Sequence, residues 1–280
     1  MKESSTDYRA NIAQRRAIAS SFVTPRLAPG SSRRARVAWH GRSGWALPAH
    51  AELLTQMLAE SSTAPPGSVA NIPIGAKRIP LLVRILEVAV AGVGLTFAAP
   101  VMLLIAASIR IGSPGPALFR QTRLGLNGEP FQFVKFRTLY ADARQQFPDL
   151  YQYRYDDNEI RKLHFHHVDD PRITREGRWL RKISLDELPN LFLVLTGKIA
   201  LVGPRPQIPE MLPYYRGIML ERFSVRAGLT GLAHVSGRSN LTFYETTAID
   251  VAYVRNRSWR LDLRILWRTL VSVIKRDGAL

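Results

Sequence analysis

The chain has 280 residues, no cysteine and a formal net charge of +17 at pH 7, with a pI near 10.8. The absence of cysteine excludes disulfides and thiolate metal sites, and the length is sufficient for one packed core. The strong positive charge requires a polyanionic partner, which can be nucleic acid, an anionic membrane or a phosphorylated substrate.

Residues 1–76 form a basic first segment that is rich in proline and serine, as in Ser61-Ser62-Thr63-Ala64-Pro65-Pro66-Gly67. Such a composition buries too little apolar surface to offset the entropy lost when the chain becomes ordered. We therefore expect a mostly disordered arm with one short helix near residues 49–60. The arm is either a solvated leader or a segment that is attracted to anionic lipid headgroups.

An uncharged run of 22 residues follows, from Val88 to Ile109, and is long enough to cross a bilayer. Pro100 lies near its middle, where a proline removes a helical hydrogen bond and bends the axis. Basic residues flank both ends, including Lys77 and Arg110, whereas a spanning helix normally has its positive excess on the cytoplasmic side alone. The pattern over 77–111 therefore favours a helix that enters one leaflet, bends at Pro100 and returns. A continuous span is the alternative.

Arg84 and Glu87 precede this run and lie three residues apart, on one face of the predicted helix. Such a pair is most simply an interfacial ion pair of small energy. Near lipid it can instead fix the depth of the helix or contact a lipid phosphate.

Two short strands are predicted after the turn at residues 113–116. Residues 117–121 and 131–136 are apolar or alternate, and the intervening Leu124-Gly125-Leu126-Asn127-Gly128 supplies turn residues. The second strand carries Lys135 and leads to Arg137. Lysine binds phosphate as a point charge and arginine as a bidentate partner, although an isolated Lys-x-Arg is usually an exposed strand edge.

The segment 181–206 sets adjacent carboxylates, Asp186 and Glu187, at the head of an apolar helical pattern between Arg181 and Arg205. An aspartate can attack phosphorus to form an acyl phosphate, while arginines neutralise phosphoryl oxygens. Ser184 and Glu187 also have the spacing of a capping box, in which both acids only stabilise the start of a helix. The residues alone leave these two interpretations equally open.

The periodicity of residues 207–223 predicts one helix, and that of Asp262 to Lys275 predicts a final amphipathic helix with a basic face. The final helix suits a membrane-surface element or a core helix with a solvated face. Between the two, Gly237 permits a tight backbone, and Arg238 offers an anion contact a few residues after His234.

These motifs, taken in series, resemble the bacterial sugar transferases, the monotopic polyprenyl-phosphate phosphoglycosyl transferases. The resemblance covers roughly residues 77–278. It is carried by Lys135-Phe136-Arg137-Thr138, Asp170-Pro171-Arg172-Ile173-Thr174, Ser184-Leu185-Asp186-Glu187-Leu188-Pro189, Leu201-Val202-Gly203-Pro204-Arg205-Pro206, Gly228-Leu229-Thr230-Gly231 and Val235-Ser236-Gly237-Arg238. The chain departs from the family pattern at Ala99, at Ala227 and near His234, where the family has Ser, Pro and Gln.

The resemblance implies a helix-rich α+β fold in a monotopic membrane protein. It implies one re-entrant helix over 77–111 and a small cytoplasmic catalytic domain with short β-strands over 112–280. The implied reaction moves a hexose-1-phosphate from a UDP-sugar to undecaprenyl phosphate and releases UMP, as the first membrane step of exopolysaccharide or O-antigen synthesis. The location would be the cytoplasmic face of the bacterial inner membrane, with anionic lipid as a partner and a homo-oligomer as a possible assembly.

The resemblance also implies a role for each site residue. Asp186 is expected to form a phospho-aspartyl sugar intermediate, and Glu187 to act as a base or a metal-side carboxylate. Magnesium is expected on Asp186, with or without Glu187. The expected phosphate-binding residues are Lys135, Arg137, Arg181 and Arg205. The expected nucleotide or acceptor contacts are Arg238 and His234.

A basic, membrane-tethered protein that binds nucleic acid, or a scaffolding protein without turnover, is the alternative from another class. Nucleic-acid binding would concentrate lysine and arginine in patches with interleaved aromatic residues. Here the positive charge is spread along the chain, and carboxylates occupy its most ordered motif. We therefore expect no nucleic-acid partner.

Overall fold

The computed structural model describes residues 49–61, 63–73, 80–164, 170–237 and 240–275. Its helices are α1 (Ala49–Glu60), α2 (Leu81–Gly112), α3 (Ala143–Gln146), α4 (Asp157–Lys162), α5 (Arg175–Lys182), α6 (Leu191–Leu195), α7 (Leu232–Ser236), α8 (Phe243–Asn256) and α9 (Trp259–Lys275). Its strands are β1 (Leu118–Leu124), β2 (Pro130–Phe136), β3 (Ala200–Val202) and β4 (Gly228–Thr230). Short 3-10 turns lie at Val69–Asn71, Leu126–Gly128, Pro148–Tyr151, Leu185–Asn190, Pro209–Tyr214 and Gly217–Ser224. The described residues therefore form a helix-rich α+β fold with short strands, as expected.

Helix α1 lies where the sequence predicts a short helix, but it is packed onto the domain. Leu53 and Met57 are buried against residues of α8 and of the Gly217–Ser224 turn. Ile72, further along the same segment, joins the same core. The described part of 1–76 is therefore folded, because its apolar residues recur at helical spacing and can bury one face. Residues 1–48 lie outside the described residues, so the disordered arm stays a prediction there.

Helix α2 is longer than the uncharged run that predicts it and continues through Pro100. Proline therefore does not end the helix. By length and composition alone, α2 is apolar enough to cross a membrane, and it is the one such helix among the described residues. Its middle is exposed, with Phe97 at 77% and Leu104 at 73% of full exposure.

The start of α2 is fixed to the domain by a buried group of charges. Glu87 is 5% exposed, and its carboxylate accepts hydrogen bonds from Arg226 at 2.6 Å and from Arg84 at 3.3 Å. Arg84 also donates to the carbonyl oxygens of Val194 and Leu195 at 2.8 and 2.9 Å. A carboxylate that is removed from water needs such partners. The pair is thus part of an internal network rather than an isolated surface ion pair.

The end of α2 is fixed to the same domain by apolar packing. Ile105 and Ile109 are buried against Phe136 of β2 and Leu180 of α5. Both ends of this long helix therefore contact one globular unit, while the apolar surface between them is exposed.

The hairpin and the small parallel sheet position the loops of the site. Strands β1 and β2 pair in antiparallel register with Phe119 opposite Lys135, and Asn127 in the connecting turn has a φ of 53°. The predicted hairpin is confirmed. Strands β3 and β4 pair in parallel, and Gly203 after β3 donates to the Thr230 carbonyl at 2.9 Å. A Cβ at Gly203 would lie 2.4 Å from the Arg226 carbonyl oxygen, so this close approach of the two loops requires glycine.

The prediction of a single helix over 207–223 is wrong. The structure has two 3-10 turns instead, Pro209–Tyr214 and Gly217–Ser224. Proline lacks the N–H that a continuous helix needs, and Pro209 and Pro213 both lie in the Pro209–Tyr214 segment. Gly217 then has a φ of 52°, which interrupts the helical backbone.

Helix α9 begins three residues before the predicted start and packs on the domain through Ile265, which is 1% exposed. Leu270 and Ile274 share the predicted apolar face but are 53% and 71% exposed. The described part of the chain therefore does not cover the apolar surface of α9.

Candidate active site

Asp186 and Glu187 lie in the 3-10 turn Leu185–Asn190, directly after Ser184. Ser184 has a φ of 57°, a left-handed conformation that is uncommon outside glycine, and its side chain makes no capping hydrogen bond. Backbone strain of this kind persists only where the surrounding structure enforces it, and it concentrates at functional sites. The capping-box interpretation of Ser184 and Glu187 is therefore wrong.

Two neighbouring elements hold this turn. Asn190 is fully buried, and its side-chain oxygen accepts a hydrogen bond from the Val134 backbone N–H of β2 at 3.3 Å. Leu185 and Leu188 pack against the apolar cluster that contains the end of α2. The turn that carries the two acids is thus fixed between the hairpin and the long apolar helix.

Charged side chains that the sequence predicts for the site line one cavity of about 1410 Å³. Its lining includes Asp186 and Glu187 together with Lys135, Arg181 and Arg205. Lys135 lies in strand β2, Arg181 lies in helix α5, and Arg205 lies in the loop after β3. Arg137 and His234 line it as well, so the structure brings into one cavity seven of the residues that the sequence singles out.

Asp186 is 6% exposed, and among the described residues its carboxylate receives no hydrogen bond and forms no ion pair. Burial, and next the negative charge of Glu187, raise the pKa of Asp186, while Lys135 and Arg181 oppose this shift. Nearby cations thus favour the ionised form without occupying its oxygens. A carboxylate in this state is available to an electrophile or a cation that enters the cavity.

Glu187 is paired, in contrast to Asp186. Its Oε1 accepts a hydrogen bond from Arg205 Nη2 at 2.5 Å. Burial opposes ionisation of Glu187, but the charge and the hydrogen bond of Arg205 outweigh it and lower the pKa to about 2. A carboxylate with so low a pKa is a weak base at neutral pH, so the geometry favours a role for Glu187 in holding Arg205.

Lys135 lies at the centre of the cationic group. Burial, and next the charge of Arg181, lower the pKa of Lys135 to about 8, although Asp186 acts in the opposite direction. The lysine is therefore close to half charged in mildly alkaline solution. The positive charge that Lys135 exerts on Asp186 therefore changes in this pH range.

Arg137 lines the same cavity, but its guanidinium is held by the turn after α2. Its guanidinium donates to the carbonyl of Ser113 at 2.9 Å, to the Ser113 hydroxyl at 2.8 Å and to the carbonyl of Pro114. It therefore ties the end of β2 to the turn after α2. The contact with substrate phosphate that was expected for Arg137 stays a prediction.

His234 lines the same cavity, and its charge helps to lower the pKa of Glu187. This position agrees with a contact to substrate. Arg238 lies outside the described residues, so its role stays a prediction.

Arg123 is a site residue that the sequence analysis missed. Its guanidinium donates to the Pro206 carbonyl at 3.3 Å, and burial followed by the charge of Arg205 lowers its pKa to about 10. The strand register contains the signal that could have identified it. Arg123 pairs with Phe131, and alternation places it on the same face of the hairpin as Lys135.

A second buried pair lies behind Arg205. Arg222 and Asp250 are 1% and 2% exposed at their side chains and are joined at 2.7 Å. Arg222 Nη2 also donates to the Arg205 backbone carbonyl at 3.0 Å, and Nη1 donates to the Tyr215 hydroxyl at 3.2 Å. The pair thus fixes the backbone of the loop whose side chain holds Glu187. No sequence motif indicates this contact, because its partners are 28 residues apart, with Arg222 in the Gly217–Ser224 turn and Asp250 in α8.

The fold and the site define a protein with a long apolar helix and a cavity in which several cations lie near a carboxylate that no described residue pairs with. The chain belongs to the bacterial sugar transferase family, because residues 79–276 match the model of that family. This match confirms the resemblance.

Three relatives illustrate the similarity. The UDP-glucose:undecaprenyl-phosphate glucose-1-phosphate transferase of Caulobacter vibrioides is 40% identical over 215 residues, which cover 74% of this chain and 75% of the relative. The exopolysaccharide production protein ExoY of Rhizobium meliloti is 34% identical over 200 residues, 70% of this chain and 87% of the relative. The undecaprenyl-phosphate galactose phosphotransferase of Salmonella typhimurium is 37% identical over 165 residues, 59% of this chain and 35% of the relative.

The Arg222–Asp250 pair leads to a prediction about stability. The substitution Arg222→Met should lower the free energy of unfolding by about 3–5 kcal/mol, because it leaves a buried carboxylate without a partner. The double variant Arg222→Met/Asp250→Leu should recover most of this loss, since apolar replacement of both charges is often neutral. Urea unfolding of the purified protein measures both values.

The exposed pair of Arg255 and Glu221, which are 42% and 28% exposed, provides the matched control. Arg255→Met should change stability by about 1 kcal/mol or less. If Arg222→Met were as mild as Arg255→Met, the buried pair would not hold the loop.

Proposed function

We propose that this protein transfers a hexose-1-phosphate from a UDP-sugar to undecaprenyl phosphate and releases UMP. The observation that carries the proposal is the Asp186 carboxylate, which is buried, lacks a partner among the described residues and shares a cavity with Lys135, Arg181 and Arg205. The names of the relatives supply the substrate classes. Family membership favours this proposal over the nucleic-acid-binding and scaffolding alternatives.

The proposed chemistry has two displacements at one phosphorus atom. A carboxylate oxygen of Asp186 attacks the sugar-side phosphorus of the UDP-sugar, the bond from that phosphorus to the bridging oxygen breaks, and UMP leaves. A phosphate oxygen of the lipid then attacks the same phosphorus, which releases Asp186 and forms the lipid diphosphate sugar. Lys135 and Arg181 offset the charge on the phosphoryl oxygens in both steps.

Glu187 acts in this proposal by fixing Arg205. The 2.5 Å contact sets the guanidinium of Arg205 beside the reacting centre, and Arg222 fixes the backbone behind it. Preorganised donors stabilise developing charge without reorganising during the reaction.

The residues fit a magnesium ion in a limited way. Magnesium in phosphate-transfer sites commonly uses one or two carboxylates together with substrate phosphates and water, and the Asp186 carboxylate has free oxygens for it. Among the described residues no group of three His, Cys, Asp or Glu could form an all-protein site. Asp186 would therefore hold the ion, which would supply positive charge to the phosphate oxygens.

The sugar and the pathway are further parts of the proposal. The names of the relatives include glucose, galactose and exopolysaccharide production. We infer a hexose donor and the first membrane step of exopolysaccharide synthesis. Comparison of UMP release from UDP-glucose, UDP-galactose and their N-acetylated forms tests the choice of sugar.

We further propose a monotopic arrangement in the inner membrane, with the domain on the cytoplasmic face. This arrangement is supported by the contacts of α2, because both of its ends contact one globular unit while its apolar middle is exposed. If α2 crossed the bilayer, one end would be carried away from the domain.

The first prediction for this function concerns the nucleophile. Asp186→Asn should lower transfer by about 10⁴-fold or more, because an amide cannot form the acyl phosphate. A donor that is radiolabelled in its sugar should leave a covalent label on the unaltered protein and none on this variant. Glu187→Gln should slow turnover and still become labelled. The exposed Asp157→Asn is the control, and full transfer by Asp186→Asn would refute the mechanism.

The pH dependence follows from Lys135. Its cationic form dominates below a pKa of about 8, and the charge is lost as the pH rises through that value. The kcat/KM for the UDP-sugar should therefore fall above about pH 8. Lys135→Arg should move this decline upward by at least about one pH unit, since arginine stays charged. The same change at the exposed Lys182 should leave the profile unaltered.

The metal is tested by its removal. EDTA should abolish UMP release, and added magnesium should restore it, because an uncompensated diphosphate resists attack by a carboxylate. Calcium at equal concentration is the comparison, since it has the same charge but a looser coordination geometry. Undiminished turnover in EDTA would show that the cations of the protein suffice.

The topology can be tested because the chain contains no cysteine. Ala70→Cys and Pro116→Cys, which place single thiols on exposed residues near the two ends of α2, should react with an impermeant thiol reagent only in permeabilised cells. Pro100→Leu restores a backbone donor and should favour a straight helix, which exposes Ala70→Cys from outside in part of the population. Labelling of Ala70→Cys in intact cells without that change would contradict the re-entrant arrangement.

A further inference from the structure

The cavity that contains Asp186 has an apolar side as well as a charged one. Leu188 and Leu191 line it from the catalytic turn and from α6. Leu266, Leu270 and Val273 line it from α9. We refer to these five side chains as the apolar wall.

The apolar wall adjoins the long apolar helix. Helix α6 packs along α2, and a Cβ placed on Gly94 would lie 3.4 Å from a methyl group of Leu191. On the other side, Leu270 is 53% and Val273 is 39% exposed. The wall therefore extends from the charged centre of the cavity towards the exposed apolar surface of α2.

A UDP-sugar has no hydrocarbon chain that could bury such a surface, because its nucleotide and its sugar are both polar. The acceptor in the proposed reaction is instead an amphiphile, with one phosphate joined to a long hydrocarbon chain. Its phosphate matches the cations beside Asp186, and its chain gains by leaving water along an apolar path. The wall provides such a path from the phosphate site to the membrane helix.

We propose that the apolar wall binds the first prenyl units of the lipid acceptor and directs its phosphate to Asp186. This inference rests on the proposed function. It assigns the donor to the polar side of the cavity and the acceptor chain to the side formed by α6 and α9.

Helix α9 offers a matched control for this proposal. Leu263 and Leu270 are exposed to similar extents, 60% and 53%, and lie on the same helix. Leu270 lines the cavity, and Leu263 does not. If the exposed face of α9 only binds the membrane surface, both residues should contribute. If it binds the acceptor in the cavity, Leu270 should contribute and Leu263 should not.

The kinetic test uses the full chain in detergent micelles with undecaprenyl phosphate and with a short-chain prenyl phosphate. Leu270→Ser and Val273→Ser should each raise the KM for undecaprenyl phosphate by about tenfold, since they remove apolar contact from the chain. Their covalent labelling by the donor should be unchanged, and the KM for the short-chain acceptor should change less. Leu263→Ser should behave as the unaltered protein. An unchanged KM in Leu270→Ser, or an equal rise in Leu263→Ser, would overturn the proposal.

A binding test separates this inference from the proposed function, because it needs no turnover. A prenyl phosphate with a photoreactive group near its phosphate should cross-link to residues 266–273 of α9, and undecaprenyl phosphate should compete. Cross-links in that segment support the wall even if donor labelling fails, in which case the proposed reaction is the part that is wrong. Cross-links confined to other segments would overturn the assignment of the wall.

Discussion

The ion pair between Glu187 and Arg205 is the interaction on which the site depends. Two adjacent carboxylates in one buried turn repel each other, and only Glu187 has an ion-pair partner within the part of the chain that the structure describes. Arg205 keeps Glu187 ionised and offsets part of the negative charge that Glu187 exerts on Asp186. Asp186 is left as the one of the two whose oxygens receive no hydrogen bond from the described residues, in a cavity that Lys135, Arg181 and Arg205 also line. The chemical difference between these neighbours thus comes from their partners and not from their residue types.

The same pair depends on contacts that fix the surrounding segments. Arg205 can hold Glu187 only if its own loop is fixed, and Arg222 fixes that loop through the Arg205 carbonyl. The close approach of the loops at Gly203 adds a second constraint. A buried pair such as Arg222 and Asp250 contributes little net stability relative to apolar residues, so its value here lies in position.

Part of this arrangement could be predicted from the sequence. Alternation and turn residues predict the hairpin that carries Lys135, and the same alternation places Arg123 beside it. The uncharged run predicts α2, although hydropathy alone could not extend it back to Leu81. The spacing of Ser184 to Glu187 matches a capping box and left that interpretation open, but Ser184 has a left-handed backbone and makes no capping hydrogen bond. Local patterns do not encode that conformation, which the packing of the turn against β2 and α2 enforces.

Contacts between distant segments were the least predictable. Arg222 looks like one member of a helical pattern, yet prolines and a glycine divide that pattern into two turns. Its partner Asp250 lies on another helix, and no periodic pattern connects the two residues. Likewise, nothing local indicates that Glu87 is buried with Arg226, because the sequence shows only its proximity to Arg84.

The buried carboxylate of Glu87 has a consequence for how the protein responds to its surroundings. Glu87 Oε1 accepts a hydrogen bond from the Leu201 backbone N–H at 3.3 Å, and Leu201 lies in the strand that leads directly to Arg205. A shift of α2 along its own axis would therefore pull on the segment that carries the site arginine. Through this hydrogen bond the axial position of α2 is linked to the position of the cation that holds Glu187, so a force that moved the helix would reach the charge balance beside Asp186.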